Sequence, residues 1–142
     1  MFVARFFDGR NVVVFHPPEL IVSFDDLLEH QLLFVWDELM DPHQVFEQIG
    51  RYPPFAPATL PDHARVVERE GEARVYRLID SEGQLANGFV LLGLSDSEMD
   101  VFDQFEQVPI HRVRHTCRVR IGDLERVAAV HSGVGSYLGD AD

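Results

Sequence analysis

The sequence predicts an α+β fold: a small, mixed but mostly antiparallel β-barrel or curled sheet with short flanking helices and an N-terminal β-hairpin. Three observations carry this. Most apolar runs have strand length and are rich in β-branched and aromatic residues. Short turns join most of them, which favours antiparallel neighbours. Only two stretches, near 41–50 and 95–106, place apolar residues at helical spacing.

Taken in order, Met1 to Phe7 and Asn11 to His16 are β-rich segments around Asp8-Gly9-Arg10, a strong hairpin signal. Pro17-Pro18 ends the second segment, and Leu20 to Phe24 reads as a further short strand. Asp25 to Gln31 is a polar connection or helical turn. The run Leu32-Leu33-Phe34-Val35-Trp36 is apolar throughout, as in a strand buried on both faces. Asp41-Pro42 starts a helix, with Asp as N-cap and Pro at the first helical position, and Gly50 ends it. Arg51 to Pro61 holds Pro53, Pro54, Pro57 and Pro61, so loop or extended edge is expected. His63 to Glu70, Ala73 to Asp80 and Leu85 to Leu94 read as strands, with turns at 70–72 and 81–83. Asn87-Gly88 lies inside the third run and suggests a bulge. Ser95 and Glu98 form a capping box ahead of Met99, Phe102 and Phe105. Ile110 to Ile121 and Leu124 to His131 complete the strands, and the glycine-containing tail from Ser132 is expected to fray.

Composition narrows the function. A chain of 142 residues, 46% of them hydrophobic, suits one domain with a real core. The net charge of −12 argues against nucleic-acid binding, which depends on neutralising phosphates. No apolar run is long enough to span a membrane. The first ten residues carry Arg5, Asp8 and Arg10 and no leader-like apolar region, so a cytoplasmic location is expected. All twelve basic residues are arginine. Without lysine, Schiff-base chemistry and a Walker-type phosphate loop are excluded. The lone cysteine, Cys117, rules out an intrachain disulfide. His111 and His115 are four apart, about 13 Å on a strand, too far to share a metal unaided.

The residue that breaks the pattern is Glu106. Seven residues after Met99, it projects within roughly 20° of that side chain on a helix. A carboxylate is thus aimed at the apolar face, near the negative end of the helix dipole. Both surroundings raise its pKa, which makes it a candidate general acid/base. The alternative is that the helix ends before Glu106 and its side chain turns to water.

A set of collinear motifs resembles the γ-glutamylcyclotransferase-like (avirulence-induced-gene-type) family. The run from Leu33 to Pro42 resembles that family's opening strand, roughly LFVYG[ST]L, and short helix. Pro57-Ala58-Thr59-Leu60 resembles its PA-x-L step, and Asn87-Gly88-Phe89-Val90 through Ser95 a later strand. Phe102 to Glu106 is similar to its LD-x-[FY]-E signature, Arg112 to the Y-x-R that follows, and Ala129-Val130-His131 stands where A-x-V-Y is usual.

The resemblance covers about residues 32–131, leaving 1–31 as a hairpin extension and 132–142 as a flexible tail. It implies a barrel with a cavity, Glu106 as general acid/base, and Val35, Trp36, Asp37, Glu38, Leu39 and Arg112 as substrate-binding residues. It also implies cofactor-free cyclisation of a γ-glutamyl amine or peptide to 5-oxoproline, because the nucleophile is the substrate's own amine. The expected partner is a small γ-glutamyl or amine ligand, with no nucleic acid or membrane. The hairpin is a candidate dimer contact.

One departure matters. The family's Tyr-Gly-[Ser/Thr] is Trp36-Asp37-Glu38 here. Two carboxylates stand where an anionic glutamyl group would dock. The second expectation is therefore an inactive relative that serves as a ligand-binding or interaction module.

Overall fold

The structure is a computed structural model that describes residues 3–7, 10–14 and 27–133. Its strands are β1 (Val3–Phe7), β2 (Arg10–Val14), β3 (Gln31–Val35), β4 (Phe55–Glu70), β5 (Ala73–Leu94), β6 (Arg112–Ile121) and β7 (Leu124–Gly133). A 3-10 turn (Glu38–Met40) and helix α1 (Pro42–Ile49) follow β3, and helix α2 (Asp96–Phe105) follows β5. The strand order is β1-β2-β4-β5-β3-β7-β6, and a further β4–β6 contact at Thr59 and Arg120 closes the last five strands into a barrel. Among the described residues only β3 and β7 pair in parallel. The expected α+β barrel, mostly antiparallel and flanked by short helices, is the fold observed.

The apolar run of β3 is buried on both faces because the barrel has two cores. Leu32, Phe34 and Trp36 point inward to meet Ala58, Leu60, Leu92, Val119 and Val130. Leu33 and Val35 point outward and are covered by the helices through Leu39, Val45, Met99 and Phe102. A fully buried side chain of this size contributes about 1.5–3 kcal/mol. β3 is the strand on which both cores converge.

The helix signals act as read. Asp41 caps α1 by accepting the His43 backbone N–H at 2.9 Å, and Gly50 leaves it in the left-handed conformation (φ 78°). The Ser95–Glu98 capping box of α2 is complete. Glu98 also receives Arg51 at two oxygens, 2.6 and 2.7 Å, while Arg51 donates to the Gly93 carbonyl. The Arg51 guanidinium holds the Glu98 carboxyl below its usual pKa range. This bidentate clamp ties the loop after α1 to the start of α2 and so fixes where α2 ends.

Three local expectations need correction. The segments 63–70 and 55–61 are one strand, β4, which bends at a register shift between Pro61 and His63. Pro57 is tolerated there because, on the side of β4 away from β5, β2 pairs at Phe55 and β6 at Thr59, and Pro57 falls between those contacts. Likewise 73–80 and 85–94 are one strand, β5; Ser81 to Gln84 is the irregular stretch opposite the shift, where a turn is expected from sequence. Asn87-Gly88 is no bulge: Gly88 sits in regular register opposite Ala58. Its glycine answers to the close approach of β3, because a Cβ would lie 2.4 Å from the Val35 carbonyl oxygen and 2.8 Å from Phe34 Cζ.

The N-terminal hairpin pairs as expected, with Phe7 opposite Arg10. The expected strand at 20–24 and most of the expected tail lie outside the described residues. The last strand runs two residues beyond His131, to Gly133.

The contact at Gly88 is backbone against Cβ, so it cannot be relieved by a rotamer change. Gly88→Ala is therefore expected to lower stability by at least about 1–3 kcal/mol, the usual range for overpacking. Urea unfolding of the two proteins measures it, and an unchanged midpoint would contradict the tight β3–β5 approach.

Candidate active site

α2 ends at Phe105, yet Glu106 keeps helical backbone angles (φ −82°, ψ −3°) as the C-cap, and its N–H still bonds the Phe102 carbonyl at 2.9 Å. The backbone turns away only at Gln107, which has positive φ. Both sequence readings were half right about the backbone. Helix assignment stops before Glu106, but its side chain follows the helical direction inward and is only 5% exposed.

There Glu106 meets groups from three other elements. Arg112, at the start of β6, brings Nε to 3.5 Å from Glu106 Oε1. The Arg112 guanidinium lies over the Trp36 ring, 4.9 Å from its centroid. A cation held on an aromatic face is attracted to the ring's electron-rich surface. Asp37, one residue beyond β3 and 4% exposed, lies against Glu106 and hydrogen-bonds with it. The Glu106 carboxyl is pushed up to about 9, first by burial, then by the Asp37 charge and hydrogen bond, with a smaller push from Glu38; Arg112 pulls the other way. At neutral pH Glu106 thus carries a proton. Two carboxyls this close cannot both ionise cheaply, which favours the protonated form of Glu106.

The surroundings hold this cluster rigid. The Trp36 indole N–H donates to the His131 carbonyl at 2.8 Å. The His131 ring is buried, and burial keeps it neutral by lowering its pKa despite the opposing pull of Asp103. Its Nε2 donates to Asp103 on α2 at 2.9 Å, and Arg114 reaches the other Asp103 oxygen at 3.2 Å. Arg65 Nε donates to the Trp36 carbonyl from the long β4–β5 hairpin, and its guanidinium also sits over Tyr76. Arg65 carries no motif in the sequence, and Asp103, although it lies in the Phe102–Glu106 signature, carries no sign there of its partners. The Arg65 and Asp103 contacts cross 29 and 28 residues of chain, so no local spacing could reveal them.

Of the residues expected to bind substrate, Trp36, Asp37 and Arg112 gather around Glu106. The side chains of Val35 and Leu39 instead pack under the helices. Glu38 is exposed on the rim. The strand-end loop does not hold out its Leu39 and Met40 amides to a ligand. The Leu39 N–H is taken by the Asp37 carboxylate at 3.1 Å, and the Met40 N–H by the Asp37 carbonyl at 3.0 Å. The cause is Asp37 itself: its side chain caps the 3-10 turn that it begins.

Two open grooves flank the cluster. One, about 440 Å³, is lined by Asp37, Glu38, Arg65, Arg74, Tyr76 and Phe89, among others. The other, about 330 Å³, runs between Tyr76–Ile79 of β5 and Arg112 and Gly133 at the ends of β6 and β7. An apolar crevice between Leu39, Val45 and Phe89 has only about 10 Å³ and is too small for a ligand. Among the described residues no group of three or more His, Cys, Asp or Glu side chains could hold a metal ion.

Comparison with known proteins bears on this arrangement. Residues 33–133 match the family model described as "Gamma-glutamyl cyclotransferase, AIG2-like". AIG2-like protein D of Arabidopsis thaliana is 37% identical over 81 residues, covering 56% of this chain and 51% of that protein. AIG2-like protein C of the same plant is 32% identical over 112 residues, covering 78% of this chain and 62% of that protein. The chain thus spans about half to three-fifths of these curated relatives. An Arabidopsis thaliana protein known from a solution structure shares the fold with a TM-score of 0.65 at 22% identity, over 75% of this chain and 70% of that one. A match over residues 33–133, the whole span from β3 to β7, shows that the chain belongs to the γ-glutamyl cyclotransferase, AIG2-like family.

Proposed function

We propose that the protein cyclises a γ-glutamyl amine or peptide to 5-oxoproline and releases the amine, with Glu106 as general acid/base. One observation supports this reading most directly. Glu106 is a buried carboxyl, and its proton affinity has risen to about 9. A free α-ammonium titrates near pKa 7.7–8. Proton exchange between the two is therefore close to balanced, which suits general acid–base catalysis. An arriving ammonium also brings the positive charge that lets Glu106 lose its proton.

The chemistry then runs as follows. The ionised Glu106 carboxylate takes a proton from the substrate's α-ammonium. The neutral amine attacks the substrate's γ-carbonyl carbon, closing a five-membered ring. As the tetrahedral intermediate collapses, Glu106 gives that proton to the leaving nitrogen, takes up the second proton that the attacking nitrogen releases, and passes it to the freed amine. The C–N bond to the leaving amine breaks, and no net proton is consumed. Asp37 stabilises the ammonium before attack, and Arg112, stacked on Trp36, limits the charge that the two acids build up.

A specific observation favours a second reading, a non-catalytic binding module. Asp37 fills the space beside Glu106 and occupies the Leu39 amide that a substrate would use. Under that reading the Glu106 cluster is a closed structural feature, and ligands stop in the groove outside Asp37.

Measuring 5-oxoproline release across a panel of γ-glutamyl amines and dipeptides separates the two. Catalysis predicts turnover with at least one of them and a loss of about 10²–10⁴-fold in Glu106→Gln. No turnover by the unmodified protein, with turnover gained in Asp37→Gly, would favour the closed site.

A stability measurement checks the protonation itself. Between the ordinary carboxyl pKa of 4.5 and about 9, the folded chain keeps a proton that the unfolded chain has lost. Stability should therefore fall as pH rises through this window, by up to about 1.4 kcal/mol per pH unit from this group. Glu106→Gln should flatten that slope and leave the protein more stable than its parent at pH 8. A slope unchanged by the substitution would mean that Glu106 is ionised at neutral pH.

A further inference from the structure

Catalysis of the proposed kind needs a receptor for the carboxylate of the substrate's glutamyl head, and the strand-end loop does not supply it. Its Leu39 and Met40 amides already bond to Asp37. Unused polar groups lie elsewhere, inside the barrel. Ser132 is 1% exposed, and its hydroxyl has no hydrogen-bond partner. The buried Nε2 of His115 also has none.

Strand register puts both side chains on the inner face. His115 lies directly opposite Val130, an inward core residue, and Ser132 follows Val130 by two residues. Directly opposed residues in an antiparallel pair share a face, as do residues two apart on one strand. Ser132 and His115 are thus diagonal neighbours on β7 and β6, close enough for one bound group to touch both. Trp36, whose indole donates to the adjacent His131 carbonyl, places the Arg112 guanidinium at the same end of the barrel. The groove lined by Arg112 and by Gly133, the residue after Ser132, lies at this end of the barrel.

We propose that Ser132 and His115, with Arg112, form a carboxylate subsite inside the barrel mouth, next to the acidic Asp37–Glu106 pair that Arg112 also contacts. The site as a whole then recognises a zwitterionic α-amino-acid head: ammonium toward the two acids, carboxylate toward the hydroxyl, imidazole and guanidinium. The Ser132 hydroxyl donates to one carboxylate oxygen, and His115 donates from Nε2 in the tautomer that carries its proton there. The physiological ligand rests on the cyclotransferase reading; the carboxylate chemistry does not.

Calorimetric titration with 5-oxoproline and with 2-pyrrolidinone, the same ring without the carboxylate, tests the subsite. The unmodified protein should bind 5-oxoproline, and Ser132→Ala should weaken that by about tenfold, the loss expected for one hydrogen bond to a charged group. Affinity for 2-pyrrolidinone should be equal in both proteins. The His115 ring resonances of the unmodified protein should shift on adding 5-oxoproline, a readout that needs no variant to fold. Absent binding, or equal 5-oxoproline affinity in Ser132→Ala with unmoved His115 resonances, would overturn the subsite. The two readings also fail separately. Turnover with unchanged KM in Ser132→Ala removes the subsite and leaves the enzyme. Carboxylate-dependent binding without turnover removes the enzyme and leaves the subsite.

Discussion

The open end of this barrel depends on one buried interaction, the Glu106 carboxyl pressed against Asp37 with Arg112 beside it. An isolated charge could not be held there, because desolvation alone would cost several kcal/mol. The fold meets that cost by keeping a proton on Glu106 and by bringing in a cation stacked on Trp36. The rest of the cluster follows from these needs. Trp36 must be fixed to carry Arg112, so its N–H and C=O are held by the His131 carbonyl and by Arg65. α2 must end at one height to deliver Glu106, so Arg51 and Glu98 clamp its start, and His131 and Asp103 tie its body to β7.

Much of the fold was legible because it follows local chemistry. The unbroken apolar run from Leu32 to Trp36 signalled a strand buried on both faces, and the two cores that β3 separates explain it. The caps at Asp41 and Ser95 need only nearby residues, so spacing revealed them. Long-range constraints were not legible. Pro57 argued against a central strand, but it falls at a gap between two neighbours that only the closed barrel creates. Asn87-Gly88 carries a turn signature, yet its glycine is required by the Val35 carbonyl, more than fifty residues earlier in the chain.

The site divides in the same way. Helical periodicity placed Glu106 on the apolar side, and its burial agrees, because the C-cap residue keeps helical angles. Asp37 and Glu38 looked alike in sequence, as two acids in the substrate loop. They differ in place: Asp37 is buried against Glu106 and caps its own turn, while Glu38 stands in solvent and acts on Glu106 only through its charge. An aspartate at that position turns a loop that could offer amides into one that offers a carboxylate. Such a carboxylate attracts cations and repels anions.

The central claim is therefore that Glu106 is protonated at neutral pH because it is buried, with Asp37 lying against it. A pH titration of the Glu106 side-chain carboxyl by ¹³C NMR tests it most directly, in the unmodified protein and in Asp37→Asn. The predicted result is a titration raised from the usual 4.5 to about 9, falling back toward the ordinary range when Asp37 loses its charge. A Glu106 carboxyl that titrates near 4.5 in the unmodified protein would contradict it.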